Sequence, residues 1–193
     1  MVQKKKPEIR EAILAAAYDL FRDRGYAFST VSAIARAADT SAANIYVYFG
    51  SKLDIFLELY EPWMMGRIDA LHEKVRSIPE PDVRLKAFLH TLWHDIPVEE
   101  NGFSSNVLQA LATVPEDDPR IRDLSRRAEA RISEILVETL PEDRRHLAGD
   151  GALARLLAAA SDGFSVNHHD QSSLELTRAA VDLTARLMLG RPG

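Results

Sequence analysis

Residues 30–52 run Thr30-Val31-Ser32-Ala33-Ile34-Ala35-Arg36-Ala37-Ala38-Asp39-Thr40-Ser41-Ala42-Ala43-Asn44-Ile45-Tyr46-Val47-Tyr48-Phe49-Gly50-Ser51-Lys52. Val31, Ile34 and Ala38 share one helical face over about 31–38, and Ser29-Thr30 caps it. Asp39-Thr40 forms a tight turn. Ser41 then caps a second short helix over 42–48, with Ile45 and Phe49 pointing inward four residues apart and Gly50 as the stop. Ahead of this pair, Ile9, Ile13, Ala16, Ala17, Leu20 and Phe21 predict a longer helix over 8–24, opened by Pro7 and closed by Gly25. Two short helices joined by a brief turn behind a supporting helix form the helix-turn-helix pattern. The second short helix must enter a major groove about 12 Å wide while its back stays packed. Its outer side offers Ala43, Asn44, Tyr46, Val47 and Tyr48. Small residues permit close approach, and the amide and hydroxyls can bond base edges or phosphates. Helix N-termini at Thr30, Ser41 and Ser51 can aim backbone N–H groups at phosphates.

The helical pattern continues outward. Ser51 and Asp54 resemble a capping box for a helix through Leu53, Phe56, Leu57 and Tyr60. Pro62 removes a backbone donor, which predicts a kink or split there and a joint between head and body. The apolar pattern resumes at Ile68, Leu71 and Val75, and further helices are predicted over 82–95, 103–113, 119–140, 150–168 and 173–189. Asp118 caps the third of these, Ser172 with Glu175 caps the last, and Gly190 ends it. Strand patterns are nearly absent. The expectation is an all-α chain of about nine helices, with a DNA-binding domain over 1–52 and a sensing and dimerising domain over 53–193.

Charge agrees with that division. The 193 residues carry −5. Residues 1–52 hold eight basic and five acidic side chains, a balance of +3, so the remainder carries −8. A basic head on an acidic body suits a chain that binds a polyanion at one end. The Lys4-Lys5-Lys6 arm can track a phosphate or groove, or remain a solvated tail. Cysteine is absent, which excludes disulfides, thiolate metal sites and cysteine nucleophiles and fits a reducing compartment. No apolar run approaches the roughly 20 residues of a membrane span, and the N-terminus does not read as a signal peptide, so a cytoplasmic protein is expected. There is no nucleophile motif, glycine-rich phosphate loop or complete metal set. No enzymatic activity and no cofactor are therefore expected.

The runs Thr30–Ala38 and Ile45–Lys52, with Ser41 between them and Leu20–Tyr26 ahead, resemble the TetR family signature over about residues 8–60. Beyond that the resemblance extends only to length and helix order. It implies a homodimer on a palindromic double-stranded DNA operator, usually a repressor, released by a small-molecule effector. Carried over by position, Thr30, Tyr46, Tyr48 and Lys52 would hold phosphates, and Ser41, Ala42, Ala43 and Asn44 would face the groove. Ser32 stands where many relatives place a base-reading arginine. Asp39 replaces the common turn glycine, Ala42 a common lysine, Ala43 a glycine and Val47 a frequent arginine. The groove face thus lacks the bidentate arginine that best reads guanine, which leaves Asn44 for adenine and apolar contacts for thymine methyls.

In the body, the helices over 150–168 and 173–189 carry more apolar surface than one packing face needs. Paired across two chains, they would make a four-helix bundle. Trp63, Met64, Phe88, Trp93, His94, Phe103, Asn106 and Val107 are the candidate lining of an effector cavity, apolar with a few polar groups. Aromatic residues at this spacing also suit plain core. His90 and His94 lie four apart with Asp95 adjacent, a spacing compatible with zinc. Two ligands do not make a site and the sequence identifies no third, so no metal is assigned. The pair His168-His169 beside Asp170 suits a helix C-terminus. Three other readings stay open: a helix-turn-helix protein without inducer, acting as a constitutive or architectural binder; a helical-bundle enzyme; and an adaptor that keeps the fold without binding DNA.

Overall fold

A computed structural model of the chain describes residues 6–98, 102–115, 118–166 and 171–190. Nine α-helices occur among these: α1 Pro7–Phe28, α2 Val31–Ala37, α3 Ala42–Tyr48, α4 Lys52–Arg76, α5 Pro81–His90, α6 Phe103–Leu111, α7 Pro119–Thr139, α8 Ala152–Val166 and α9 Gln171–Leu189. No strand occurs among the described residues. None of the helices is long and apolar enough to cross a membrane. Lys4, Lys5, His168, His169 and Asp170 lie outside the described residues, as does the side chain of Ser172. The chain divides into two compact units, residues 1–63 with 100–116 and residues 64–99 with 117–193.

The first unit is built around a break in α1. The helix breaks at Gly25, where the sequence places its end, with φ 79° and ψ 161°, and one further turn then runs to Phe28. A break of this kind strips nearby backbone groups of their helical hydrogen bonds, and buried ones must find others. Asn106 on α6 supplies them. Its Oδ1 accepts from the Tyr26 N–H at 2.6 Å, and its Nδ2 donates to the Phe21 carbonyl at 2.9 Å. The Ala27 N–H donates to Gln109 Oε1 at 2.9 Å. Two amides one helical turn apart on α6 thus stand in for the missing turn of α1. Only glycine suits position 25: its φ is left-handed, and a Cβ there would lie 3.0 Å from Gln109 Oε1. Around the break the aromatic rings close ranks. Phe56 of α4 lies 5.5 Å from Phe21, 5.2 Å from Tyr26, 5.4 Å from Tyr60 and 6.0 Å from Phe103, centroid to centroid. Mostly edge-on, these contacts add to the burial of large apolar areas.

α4 is one helix through Pro62, so of the expected kink or split the split does not occur. The proline removes only its own N–H, depriving the Glu58 carbonyl of its usual donor.

The second unit packs one continuous apolar core. Leu85, Phe88 and Leu89 of α5 meet Ile132, Ile135 and Leu136 of α7, Leu157 of α8, and Val181, Ala185 and Met188 of α9. Trp93 Nε1 donates to the Leu157 carbonyl at 3.0 Å, and Ser161 Oγ to the Leu92 carbonyl at 2.7 Å. Two departures from sequence expectation appear here. The last turn of the helix predicted over 82–95 is a π turn, Thr91–Asp95, closed by an Ile96 N–H to Thr91 carbonyl bond of 3.0 Å. A 3₁₀ segment, Glu142–Ala148, follows α7; its mostly charged residues carry no apolar period by which to predict it.

Asp118 caps α7. It accepts from the Arg120 N–H at 2.9 Å, while the Arg120 guanidinium reaches its two oxygens at 3.0 and 2.6 Å. The side-chain bonds from Arg120 hold its carboxyl at about 2, well below the usual 3.8.

Two outcomes follow from these contacts. Asn106→Ala removes the side-chain bonds to the Tyr26 N–H and the Phe21 carbonyl, at about 1–3 kcal/mol for each bond lost. Urea denaturation should show the loss, and a change below about 0.5 kcal/mol would mean that the amide does not hold the break. Asp118→Asn keeps a capping oxygen but loses the charge. Because the folded carboxyl is depressed, its contribution is present above the usual carboxylate range and lost as pH falls toward the folded value. The gap in denaturation midpoint between wild type and Asp118→Asn should be open at neutral pH and close between about pH 4 and about pH 2. A gap that stays constant across that range would rule out the ion pair as its source.

Candidate nucleic-acid interface

α3 is positioned by its back and presented by its front. Ile45 and Phe49 are buried, while Ala43 and Tyr46 are exposed and Ala42, Asn44, Val47 and Tyr48 are half-buried. Tyr46 is 58% exposed, so its phenol stands outside the core that holds the helix. The Ser41 hydroxyl accepts from the Asn44 N–H at 3.0 Å, and Thr30 Oγ1 accepts from the Ala33 N–H at 3.1 Å. Both short helices therefore begin on a side-chain cap, as the sequence predicts. The turn between them needs one left-handed residue, and Asp39 takes it at φ 50°. Aspartate tolerates this region better than most non-glycine residues, which explains how it replaces a glycine here.

The remaining predicted contacts divide between the surface and the head itself. Ser32 on α2 is exposed, as is Thr30 at its cap. Asn44, half-buried, donates from Nδ2 to Thr40 Oγ1 at 2.8 Å, which uses one of its two amide hydrogens. The Tyr48 hydroxyl accepts from the Lys6 N–H at 3.0 Å, tying the start of α1 to the end of α3. Lys52 reaches back: its Nζ donates to the Tyr26 carbonyl at 2.7 Å and lies 4.0 Å from the Tyr26 ring centroid. Burial pushes its ammonium below the usual lysine range. Tyr26 is thus a hub, its N–H held by Asn106 and its carbonyl by Lys52. Phe28, two residues before the Thr30 cap, is 81% exposed, an apolar side chain that the sequence pattern does not single out.

The eight candidate effector residues fall four and four into the two units. Trp63, Phe103, Asn106 and Val107 belong to the first, Met64, Phe88, Trp93 and His94 to the second. In the first, Trp63 packs 5.4 Å from Phe103 and Asn106 bonds the α1 backbone. In the second, Phe88 is fully buried, Trp93 lies 5.2 Å from Phe164, and Met64 packs against the core. Asn106 and Gln109 are where sequence reading falls short. An amide facing a helix break 80 residues earlier has no local signature, and only the Gly25-Tyr26 pair hints that a break needs support.

Residues 13–59 match the family described as bacterial regulatory proteins, tetR family. Over 98 residues the chain is 26% identical to the HTH-type transcriptional activator FasR of Mycolicibacterium smegmatis, covering 51% of this chain and 45% of that protein. It is 32% identical over 76 residues to the fatty acid metabolism regulator protein of Bacillus subtilis, covering 39% of each. These matches span less than half the length of either curated relative. In fold it resembles the transcriptional regulator FadR from Bacillus subtilis, solved in complex with stearoyl-CoA. That likeness has a TM-score of 0.60 at 19% identity and covers 91% of this chain and 97% of that one. Residues 13–59 are thus similar to the N-terminal module of the tetR family of bacterial regulatory proteins.

Proposed function

We propose that this protein is a sequence-specific, DNA-binding transcriptional regulator, a homodimer that represses from a palindromic operator and is released by a small-molecule effector. The observation that carries the reading is α3, a capped helix anchored by buried Ile45 and Phe49 with Ala43 and Tyr46 exposed on its outer side. Thr30, Ser32, Ser41, Ala42, Ala43, Asn44, Tyr46, Tyr48 and Lys52 are the proposed DNA-contacting set. The groove side is uncharged, so phosphate contacts supply most of the affinity, and base reading falls to Asn44 and to apolar contact with thymine methyls.

The proposed dimer surface lies on α8 and α9. Leu156 and Val166 of α8, and Leu176, Leu183 and Leu187 of α9, are all more than half exposed. Leu176, Ala180, Leu183 and Leu187 follow a stripe of fours and threes, the spacing of a helix-packing seam. Burying a leucine contributes about 1.5–3 kcal/mol, so leaving this many exposed favours a second copy as cover. The effector screen starts with long-chain acyl-CoA thioesters, the class named for the Bacillus subtilis structure, and widens from there.

Selection from random duplex DNA should enrich a palindrome whose binding weakens steeply with salt. Tyr46→Ala should leave folding unchanged and weaken binding by about tenfold or more, as expected for losing a bond to a charged phosphate. No enriched site in the presence or absence of acyl-CoA would sink the reading. For the dimer, Leu183→Glu with Leu187→Glu should convert the protein to a folded monomer by light scattering. A double variant that still elutes as a dimer would move the interface elsewhere.

A further inference from the structure

His90, His94 and Asp95 meet where α5 passes into the π turn. Asp95 Oδ1 lies 3.1 Å from His90 Nδ1 and 3.2 Å from His94 Nδ1. The two imidazole centroids are 4.8 Å apart, and one ligand atom from each of the three residues falls within 4.8 Å of the others. A tetrahedral ion with bonds of about 2.0–2.1 Å places neighbouring donors about 3.3 Å apart, close to both nitrogen–oxygen spacings here.

The carboxylate is also held from behind. Asp95 Oδ2 accepts from Thr91 Oγ1 at 2.8 Å and from Lys74 Nζ at 3.0 Å, and Lys74 donates to Thr91 Oγ1 at 2.7 Å. One oxygen is thereby fixed and the other faces the histidines, the kind of support that orients metal ligands. All three ligand side chains are partly exposed, which gives an ion a way in. The π turn explains why the sequence shows only two ligands. Residues five apart diverge on an α-helix, but the wider turn, closed by its i+5 bond, brings Asp95 round to the face of His90.

We propose that His90, His94 and Asp95 form a three-ligand site for a divalent cation of the zinc class, with a fourth position open to water. Two imidazoles and one carboxylate suit zinc or its late first-row neighbours, whereas magnesium and calcium favour all-oxygen sets. The site is independent of the regulatory reading above. The competing account is a pair of histidines hydrogen-bonded to Asp95, which binds no metal.

The full chain, stripped with EDTA, is titrated with zinc by calorimetry and with cobalt by visible absorption. One zinc per chain and a tetrahedral cobalt band are expected. His90→Gln and His94→Gln should each weaken zinc binding by about 100-fold or more and abolish the band, at least the upper end of what losing a supporting group costs. His146→Gln on the exposed 3₁₀ segment, and His168→Gln with His169→Gln, should change neither. Circular dichroism checks folding, and if a variant unfolds the wild-type cobalt spectrum decides alone. No stoichiometric zinc, no tetrahedral band, binding that survives both ligand variants, or binding lost only with His168 and His169 overturns the site.

Discussion

A helix that breaks inside a packed unit must find new partners for the backbone groups it releases, and the helix-turn-helix head rests on how this is met. Gly25 interrupts α1, and Asn106 and Gln109 of α6 bond the freed N–H and carbonyl groups. Lys52 takes the Tyr26 carbonyl from the other side, with its charge over the Tyr26 ring. An unpaired buried amide costs more than a paired one gains, so these bonds act mainly as a condition that the head must satisfy. They also make a helix from far along the chain an integral part of the first unit. The head therefore does not end where the helix-turn-helix motif ends.

On that platform the recognition helix divides its labour by side. Ile45 and Phe49 hold it, and the residues left outward are small or carry a single amide or hydroxyl. Such a surface offers little charge, so in the proposed DNA-binding role sequence discrimination would come from few contacts and from groove shape. Asp39 shows how much substitution the motif tolerates. The turn requires a left-handed residue, and the short polar side chain of aspartate adopts that conformation where glycine is common.

The second unit shows the same economy with polar groups. Its core is almost wholly apolar, and buried Trp93 Nε1 and part-buried Ser161 Oγ both donate to backbone carbonyls. At the π turn, by contrast, a widened helix collects two imidazoles, a carboxylate, a hydroxyl and an ammonium within one bonded network. Local widening of a helix is a costly geometry, and it is often kept where side chains have a job to do.

Helix order was legible in the sequence because its signals are local. Apolar spacing sets which face packs, and caps and terminators such as Thr30, Ser41, Asp118 and Gly190 set where helices start and stop. α3 accordingly spans the predicted residues 42–48. The inward anchors Ile45 and Phe49 were legible for the same reason, whereas of the residues expected outward Ala43 and Tyr46 are exposed and Asn44, Val47 and Tyr48 are half-buried. What depends on distant contact was not. Continuation of α1 past Gly25 needs amides 80 residues away, the unbroken run through Pro62 depends on helical packing outweighing one lost bond, and the π turn that gathers His90, His94 and Asp95 has no periodicity to betray it. By itself the sequence determined a helical chain with a helix-turn-helix head, because pattern and capping act within a few residues. Only the tertiary structure decided which backbone groups Asn106 and Gln109 serve and where Asp95 points, because those outcomes rest on which elements meet in space.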